Sequence, residues 1–255
     1  YNRWFGIRRC TRRDKRSGSG ISNKNINHMK IILTNDDGFD HPGISALFNE
    51  LKENHEVFLI GPDQNRSGFS SAITFLTPLK HKKFAENFYS LNGTPVDCVK
   101  IARNLLCPFE PEIVISGINP GPNLGSDAIL SGTVGAALDG RNLKYPSIAV
   151  SVASFEIVDF SFAAKFISKV LDNLDNLKLE NFQILNINVP DHNKFPDPKI
   201  KITKTFLNEE DCERNYESSD RKNLEDGNIS ISPIKIDMHS NSEYHAVEDW
   251  SKISL

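Results

Sequence analysis

Residues 30–38 read KIILTNDDG: the run Lys30-Ile31-Ile32-Leu33 leads directly into Thr34-Asn35-Asp36-Asp37-Gly38. A short apolar run of this kind suits a strand buried on both faces, as in a parallel sheet. Two adjacent carboxylates at its end are costly unless a positive group offsets them. A plain surface turn is the competing reading, because Asn, Asp and Gly all favour turns. The segments that follow decide between the two.

From Met29 onward strand-like and helix-like patterns alternate. Residues 44–54, ISALFNELKEN, place Ile44, Leu47, Phe48 and Leu51 at helical spacing, and HEVFLIGP at 55–62 is a second strand closed by Gly61-Pro62. The polar stretch 63–72, DQNRSGFSSA, predicts a functional loop, and residues 72–80 and 83–91 predict two extended segments. Residues 94–106 predict a helix with Thr94 as N-cap and Pro95 at its first position. PEIVISG at 111–117 is a third buried strand, followed by the loop INPGPNLGSDAIL at 118–130. Then come a helix at 131–143, a strand at 146–153, a helix at 159–174 and a strand at 182–190. This succession of βα units predicts an α/β fold, Rossmann-like, with a mostly parallel sheet flanked by helices. Past Pro190 the order breaks down. KIKITKTF (199–206) and GNISISPIKI (227–236) look like strands on either side of the polar run 208–226, so residues 191–255 read as a C-terminal β arm appended to the core.

Composition narrows the function classes. At 255 residues, 38% hydrophobic and 25% charged, the chain is that of an ordinary globular protein with a sizeable core. No apolar run approaches the roughly 20 residues that span a bilayer, so no membrane partner is expected. Cys10, Cys98, Cys107 and Cys212 are scattered without metal-like spacing, which predicts reduced thiols and a cytoplasmic location. The seven histidines form no clustered zinc motif, and His41 reads as solvent-exposed with no role. The net charge of −3 conceals an asymmetry: residues 1–28 hold eight Lys or Arg and one Asp, +7, leaving −10 on the remainder. Residues 1–28 show no packing pattern and predict a basic, disordered extension outside the fold. The acidic body predicts no nucleic-acid partner.

In an open α/β sheet, ligands bind beyond the carboxyl ends of the strands. Asp36 and Asp37 follow the first strand, Ser67 lies in the loop after the second, and Asn119 and Asn123 lie in the loop after PEIVISG. Asp36, Asp37, Ser67 and Asn119 are hard oxygen donors, a set suited to Mg²⁺ or Mn²⁺ rather than zinc. The turn Ser131-Gly132-Thr133 opens a small-residue helix at the same edge, where free N–H groups and the helix dipole favour a phosphate. A divalent ion beside an anion cradle is the arrangement for phosphate-ester hydrolysis. Each piece also has a plain reading: Ser131 or Thr133 as N-cap, Ser67 in a turn, the asparagines in left-handed positions. Their coincidence at one edge favours a site.

Seven motifs then stand out together: LTNDDG, PDQNRSG, NGTPVDCVK, SGINPGPNLG, SGTVGAALDG, ILNINVP and ISISP. Their order and spacing resemble the SurE family of survival proteins, metal-dependent 5′/3′-nucleotidases, over about residues 29–235. The resemblance implies a SurE-like phosphatase domain over 29–255. It implies metal ligation by Asp36, Asp37, Ser67 and Asn119, with Asp36, Asp37 and Asn119 in the catalytic centre. It places Asn123, Ser131, Gly132 and Thr133 around the phosphate. It also implies nucleoside monophosphates as substrates, one Mg²⁺ or Mn²⁺ ion, and a homodimer or homotetramer with a C-terminal exchange arm. Two departures stand beside it. Leu130 occupies a position where the family commonly has Tyr or His, and the segment between Phe206 and Gly227 is shorter, without an aromatic stretch. Two other classes stay open. A receiver-like Mg²⁺-binding module would need a phospho-acceptor Asp where PEIVISG ends in Ser116-Gly117. A non-catalytic nucleotide-binding protein would use the same edge without turnover.

Overall fold

The computed structural model describes residues 28–156, 159–179, 182–238 and 241–254. The expectation for residues 1–28 therefore lies almost wholly outside the described residues. In chain order the elements are β1 (Lys30–Thr34), α1 (Pro42–Leu51), β2 (Glu56–Pro62), β3 (His81–Ala85), β4 (Phe88–Leu91) and α2 (Pro95–Ile101). Next come β5 (Ile113–Pro120), α3 (Asp127–Leu130), α4 (Gly132–Asp139), β6 (Ser147–Ala153), α5 (Ser161–Asn173) and β7 (Gln183–Pro190). The chain closes with β8 (Ile200–Ile202), α6 (Glu209–Arg214), α7 (Asp220–Glu225), β9 (Ile229–Lys235) and α8 (Asn241–Ser254). Among the described residues nine strands form one sheet in the order β3-β4-β2-β1-β5-β6-β7-β9-β8. Strands β4, β2, β1, β5, β6 and β7 run parallel, as the Rossmann-like reading requires.

Burial of β1 on both faces explains its unbroken apolar run. Ile31 and Leu33 join a cluster with Ile44, Leu47 and Leu51 of α1 and Ile167 and Leu171 of α5. Ile32 points to the opposite layer, with Phe58, Ile60, Val99, Ala102 and Val114. Helix α1 starts at Pro42, whose missing N–H costs nothing at that position. Helix α2 carries the predicted cap as a full capping box. Thr94 Oγ1 accepts from Asp97 N at 3.1 Å, and Asp97 Oδ2 accepts from Thr94 N at 2.9 Å. The predicted helix 94–106 ends in a π-helical turn over residues Ala102–Leu106.

Two extended segments expected at 72–80 and 83–91 take another form. Residues 72–80 hold no strand, because their polar groups bond to the start of α2 rather than to a neighbouring strand. Thr74 donates from N to Asp97 Oδ1 at 3.1 Å and from Oγ1 to Asp97 Oδ2 at 2.6 Å, and Ala72 O accepts from Thr94 Oγ1 at 2.7 Å. Residues 81–91 fold back as an antiparallel hairpin, β3 against β4, turning beside Asn87 at φ +54°. Asparagine tolerates that left-handed conformation, and periodicity does not register it.

Beyond Pro190, β9 pairs antiparallel with β7, and β8 pairs parallel with β9, so both arm strands extend the main sheet. The polar run between them holds α6, a 3₁₀ turn at Tyr216–Ser218 and α7. No described helix is long and apolar enough to cross a membrane.

The doubly used Thr94 hydroxyl generates a prediction. Thr94→Ala removes the α2 cap and the tie to Ala72, so urea unfolding should show a loss of about 1–2 kcal/mol at unchanged slope. An unaltered midpoint would show that the capping box contributes nothing.

Candidate active site

Strand β1 lies between β2 and β5, and the chain leaves the sheet in opposite directions from the two sides of this junction. Such a switch point opens a crevice at the strands' carboxyl ends. Asp36 and Asp37 fill it from β1. Within the same turn, Asn35 Nδ2 donates to Gly38 O at 2.8 Å, so the stretch is a turn and an acidic pair at once.

Asp36 is buried, and two segments converge on it, the start of α4 and the loop after β2. Thr133 Oγ1, in the first turn of α4, donates to Asp36 Oδ1 at 2.5 Å. A Cβ on Gly132 would sit 2.8 Å from Asp36 Cβ and 2.9 Å from Oδ2, so only glycine admits the carboxylate this close. Ser131 caps α4, its Oγ accepting from Val134 N at 3.1 Å. From the loop after β2, Arg66 N donates to Asp36 O at 2.7 Å. That loop also grips the chain ahead of α4, where Ser70 donates from N to Leu130 O at 3.1 Å and from Oγ to Ile129 O at 2.6 Å. Leu130 itself turns its side chain to solvent. Ser67, the remaining expected ligand, is exposed in the β2 loop, its N–H donating to Asn65 Oδ1 at 2.9 Å.

Asp37 is the less satisfied partner. Its Oδ2 is buried without a hydrogen bond and lies 3.9 Å from His41 Nδ1. That nitrogen accepts from Gly43 N at 3.1 Å, so neutral His41 has no proton there to offer. His41 is thus a half-buried cap of α1, not the exposed idle residue expected, and burial lowers its pKa. Burial raises the pKa of Asp36. Burial, and then the charge of Asp36, push Asp37 up to about 7. Asn35 Oδ1, just past β1, and Ser116 Oγ, within β5, are also buried without partners. Crowded carboxylates that resist ionisation, beside an orphaned carboxylate oxygen, are what a hard cation relieves. By that test the residues fit a divalent ion.

Asn119 lies near the end of β5, with Nδ2 donating to Gly121 O at 2.7 Å, which leaves its oxygen as the group it can offer. Asn123 is buried and anchored from several sides. Its Nδ2 donates to Ser151 Oγ at 2.8 Å, and its N–H donates to Asn188 Oδ1 at 2.8 Å. Its carbonyl accepts from Asn186 and Asn188 at 2.8 and 3.1 Å. The structure therefore brings Asp36, Gly132 and Thr133 into direct contact. Ser131 stands at the helix start, Asn119 near the end of β5 and Asn123 on the loop after it. Thr133, expected to face an anion, spends its hydroxyl on Asp36 instead. Asn186 and Asn188 were not expected at the site, although two asparagines at alternate positions of an apolar strand were the available signal.

By fold and crevice this is a Rossmann-like α/β protein with an acidic pair and a helix start at the switch point. Known proteins make the assignment specific. The chain matches the family model described as Survival protein SurE across residues 31–211. It is 37% identical over 244 residues to the 5′-nucleotidase SurE of Pseudoalteromonas atlantica, covering 87% of this chain and 98% of that protein. It is 44% identical over 180 residues to the 5′-nucleotidase SurE of Kosmotoga olearia, covering 69% of this chain and 71% of that one. The crystal structure of the SurE protein from Aquifex aeolicus superposes with a TM-score of 0.76 at 30% identity, covering 87% of this chain and 99% of that chain. The chain belongs to the SurE family.

The raised carboxylate pKa values predict a pH signature. Asp37 starts from an ordinary 3.8 and reaches about 7 when folded, so between those values the folded state keeps a proton that the unfolded chain has released. Metal-free stability should therefore fall as pH rises from 4 to 7 and stay low above that. Asp37→Asn should raise the Tm of chelator-treated protein at pH 8 and leave it almost unchanged at pH 4. An equal Tm difference at both pH values would contradict the burial argument.

Proposed function

We propose that this protein is a metal-dependent 5′-nucleotidase, a phosphoric monoester hydrolase that cleaves nucleoside 5′- and 3′-monophosphates to nucleoside and phosphate. The observation that carries the reading is the buried Asp36–Asp37 pair, one of its oxygens orphaned, packed against the start of α4. Family membership supports it, because the curated relatives bear the name 5′-nucleotidase SurE.

In this reading Asp36, Asp37, Asn119 and Ser67 hold one Mg²⁺ or Mn²⁺ ion. Bound there, the ion supplies Lewis-acid polarisation of the phosphoryl group and a water acidic enough to attack it at neutral pH. The chain's own residues do the rest. Thr133 occupies Oδ1 of Asp36 and so fixes which carboxylate oxygen stays available. The positive dipole end of α4, at Gly132, would stabilise charge as it develops on the phosphoryl oxygens. Asn123, held by Ser151, Asn186 and Asn188, anchors its loop at the crevice edge. A cytoplasmic location and assembly as a homodimer or homotetramer belong to the same reading and rest on the family resemblance.

Phosphate release from nucleoside monophosphates, with Mg²⁺ or Mn²⁺ and abolished by chelator, tests the reading. Nucleotide binding without release would leave a binding protein instead. Asp36→Asn keeps shape and the acceptor for Thr133 while removing a charge. Its metal-free Tm should hold or rise, whereas kcat/KM should fall by about a thousandfold or more. Mn²⁺ at a hundred times its Kd should stabilise the parent by about 2.7 kcal/mol and the variant hardly at all. A variant that turns over at the parent rate would remove Asp36 from the metal site.

A further inference from the structure

Asp220 sits in the polar run 208–226, which reads from sequence as a surface connection, yet its side chain is buried. Its Oδ2 accepts from Gly125 N at 3.1 Å and from Thr205 Oγ1 at 2.9 Å, and its Oδ1 accepts from Arg221 N at 2.8 Å. Gly125 belongs to the loop after β5 that carries Asn123, 95 positions away from Asp220 in sequence. The fit is close on the loop side. Gly125 takes φ +50°, and a Cβ there would lie 3.2 Å from Phe206 O. Backbone bonds lock the other side: Asp220 N donates to Lys204 O at 3.0 Å, and Lys204 N to Ser218 O at 2.9 Å. A carboxylate taken out of water needs its acceptor positions filled, and here a distant loop and the C-terminal segment fill them together.

We propose that Asp220 is a positioning residue for the nucleotide site, bracing Gly125 so that the loop 121–126 holds Asn123 at the crevice. The proposal rests on the nucleotidase reading above. It gives the short 206–227 segment a definite role, which is to support the substrate loop from beneath instead of covering the substrate. Asn123 is clamped to β6 and β7 at one end of the loop, and Gly125 is clamped to Asp220 two residues on. With the second clamp gone the loop keeps its fold and loses its fixed pose. Ground-state binding then weakens, while the carboxylate pair on β1 is untouched.

The test compares Asp220→Ala with Thr205→Val in the full chain loaded with Mn²⁺, using AMP as substrate. Gly125 and Thr205 share one acceptor, Oδ2, which an asparagine carbonyl would replace for both, so alanine is the variant that removes it. Thr205→Val breaks only the bond on the C-terminal side. Asp220→Ala should raise KM about tenfold or more, with kcat within about threefold, and speed amide exchange at Gly125. Thr205→Val should lower Tm and leave KM and the Gly125 amide as in the parent. A KM unchanged in Asp220→Ala, or raised equally by both variants, overturns the brace. A parent that releases no phosphate from any nucleoside monophosphate defeats the nucleotidase reading alone. Gly125 exchange then decides the brace, and a rate no faster in Asp220→Ala than in Thr205→Val overturns it.

Discussion

The contact between Gly132-Thr133 and Asp36 is the constraint around which the rest of this molecule is arranged. It joins the carboxyl end of β1 to the start of α4, two places that meet only because the sheet reverses its winding between β1 and β5. The absent Cβ of Gly132 lets the helix start approach, and the Thr133 hydroxyl fixes one carboxylate oxygen. The loop after β2 closes the arrangement from the other side through Arg66 and Ser70. Burial follows from this packing, and the raised pKa values of Asp36 and Asp37 follow from burial. The acidic crevice is thus a consequence of how tightly the turn after β1, the loop after β2 and the start of α4 pack.

A second layer of order comes from buried polar side chains. Asn186 and Asn188 point from β7 into the neighbouring loop, and Ser151 points from β6. Together they hold the backbone and side chain of Asn123. Thr203, Ser230 and Ser232 form a similar buried hydroxyl chain between β8 and β9, with oxygens 2.7 Å apart. That chain secures the arm strands to the sheet and, through the residues that follow, places Asp220 under the β5 loop.

The core of this design was legible in the sequence. The KIILT run, the helical spacing of Ile44, Leu47 and Leu51, and the Thr94-Pro95 start each carry a local signature that tertiary packing preserved. The gathering of Asp36, Gly132 and Thr133 was legible through topology, since strands with βα crossovers put their following loops at one edge. What stayed hidden was set by contacts distant in sequence. Residues 72–80 have strand-like composition, but Asp97 captured the polar groups of Thr74. The hairpin at Asn87 turns on one left-handed residue. Asp220 lies in a run of polar and charged composition, so nothing in the local sequence distinguishes it, and the bonds from Gly125 and Thr205 reveal its place.

The central claim is that Asp36 and Asp37 are held in a state that a divalent ion completes. NMR titration of the aspartate side-chain carboxyls, with Asp37 assigned by substitution, tests it most directly. In metal-free protein Asp37 should titrate near 7. With saturating Mg²⁺ its titration should move below the ordinary carboxylate range, with proton release on binding at pH 7. An Asp37 that titrates near 4 in both conditions would contradict the account.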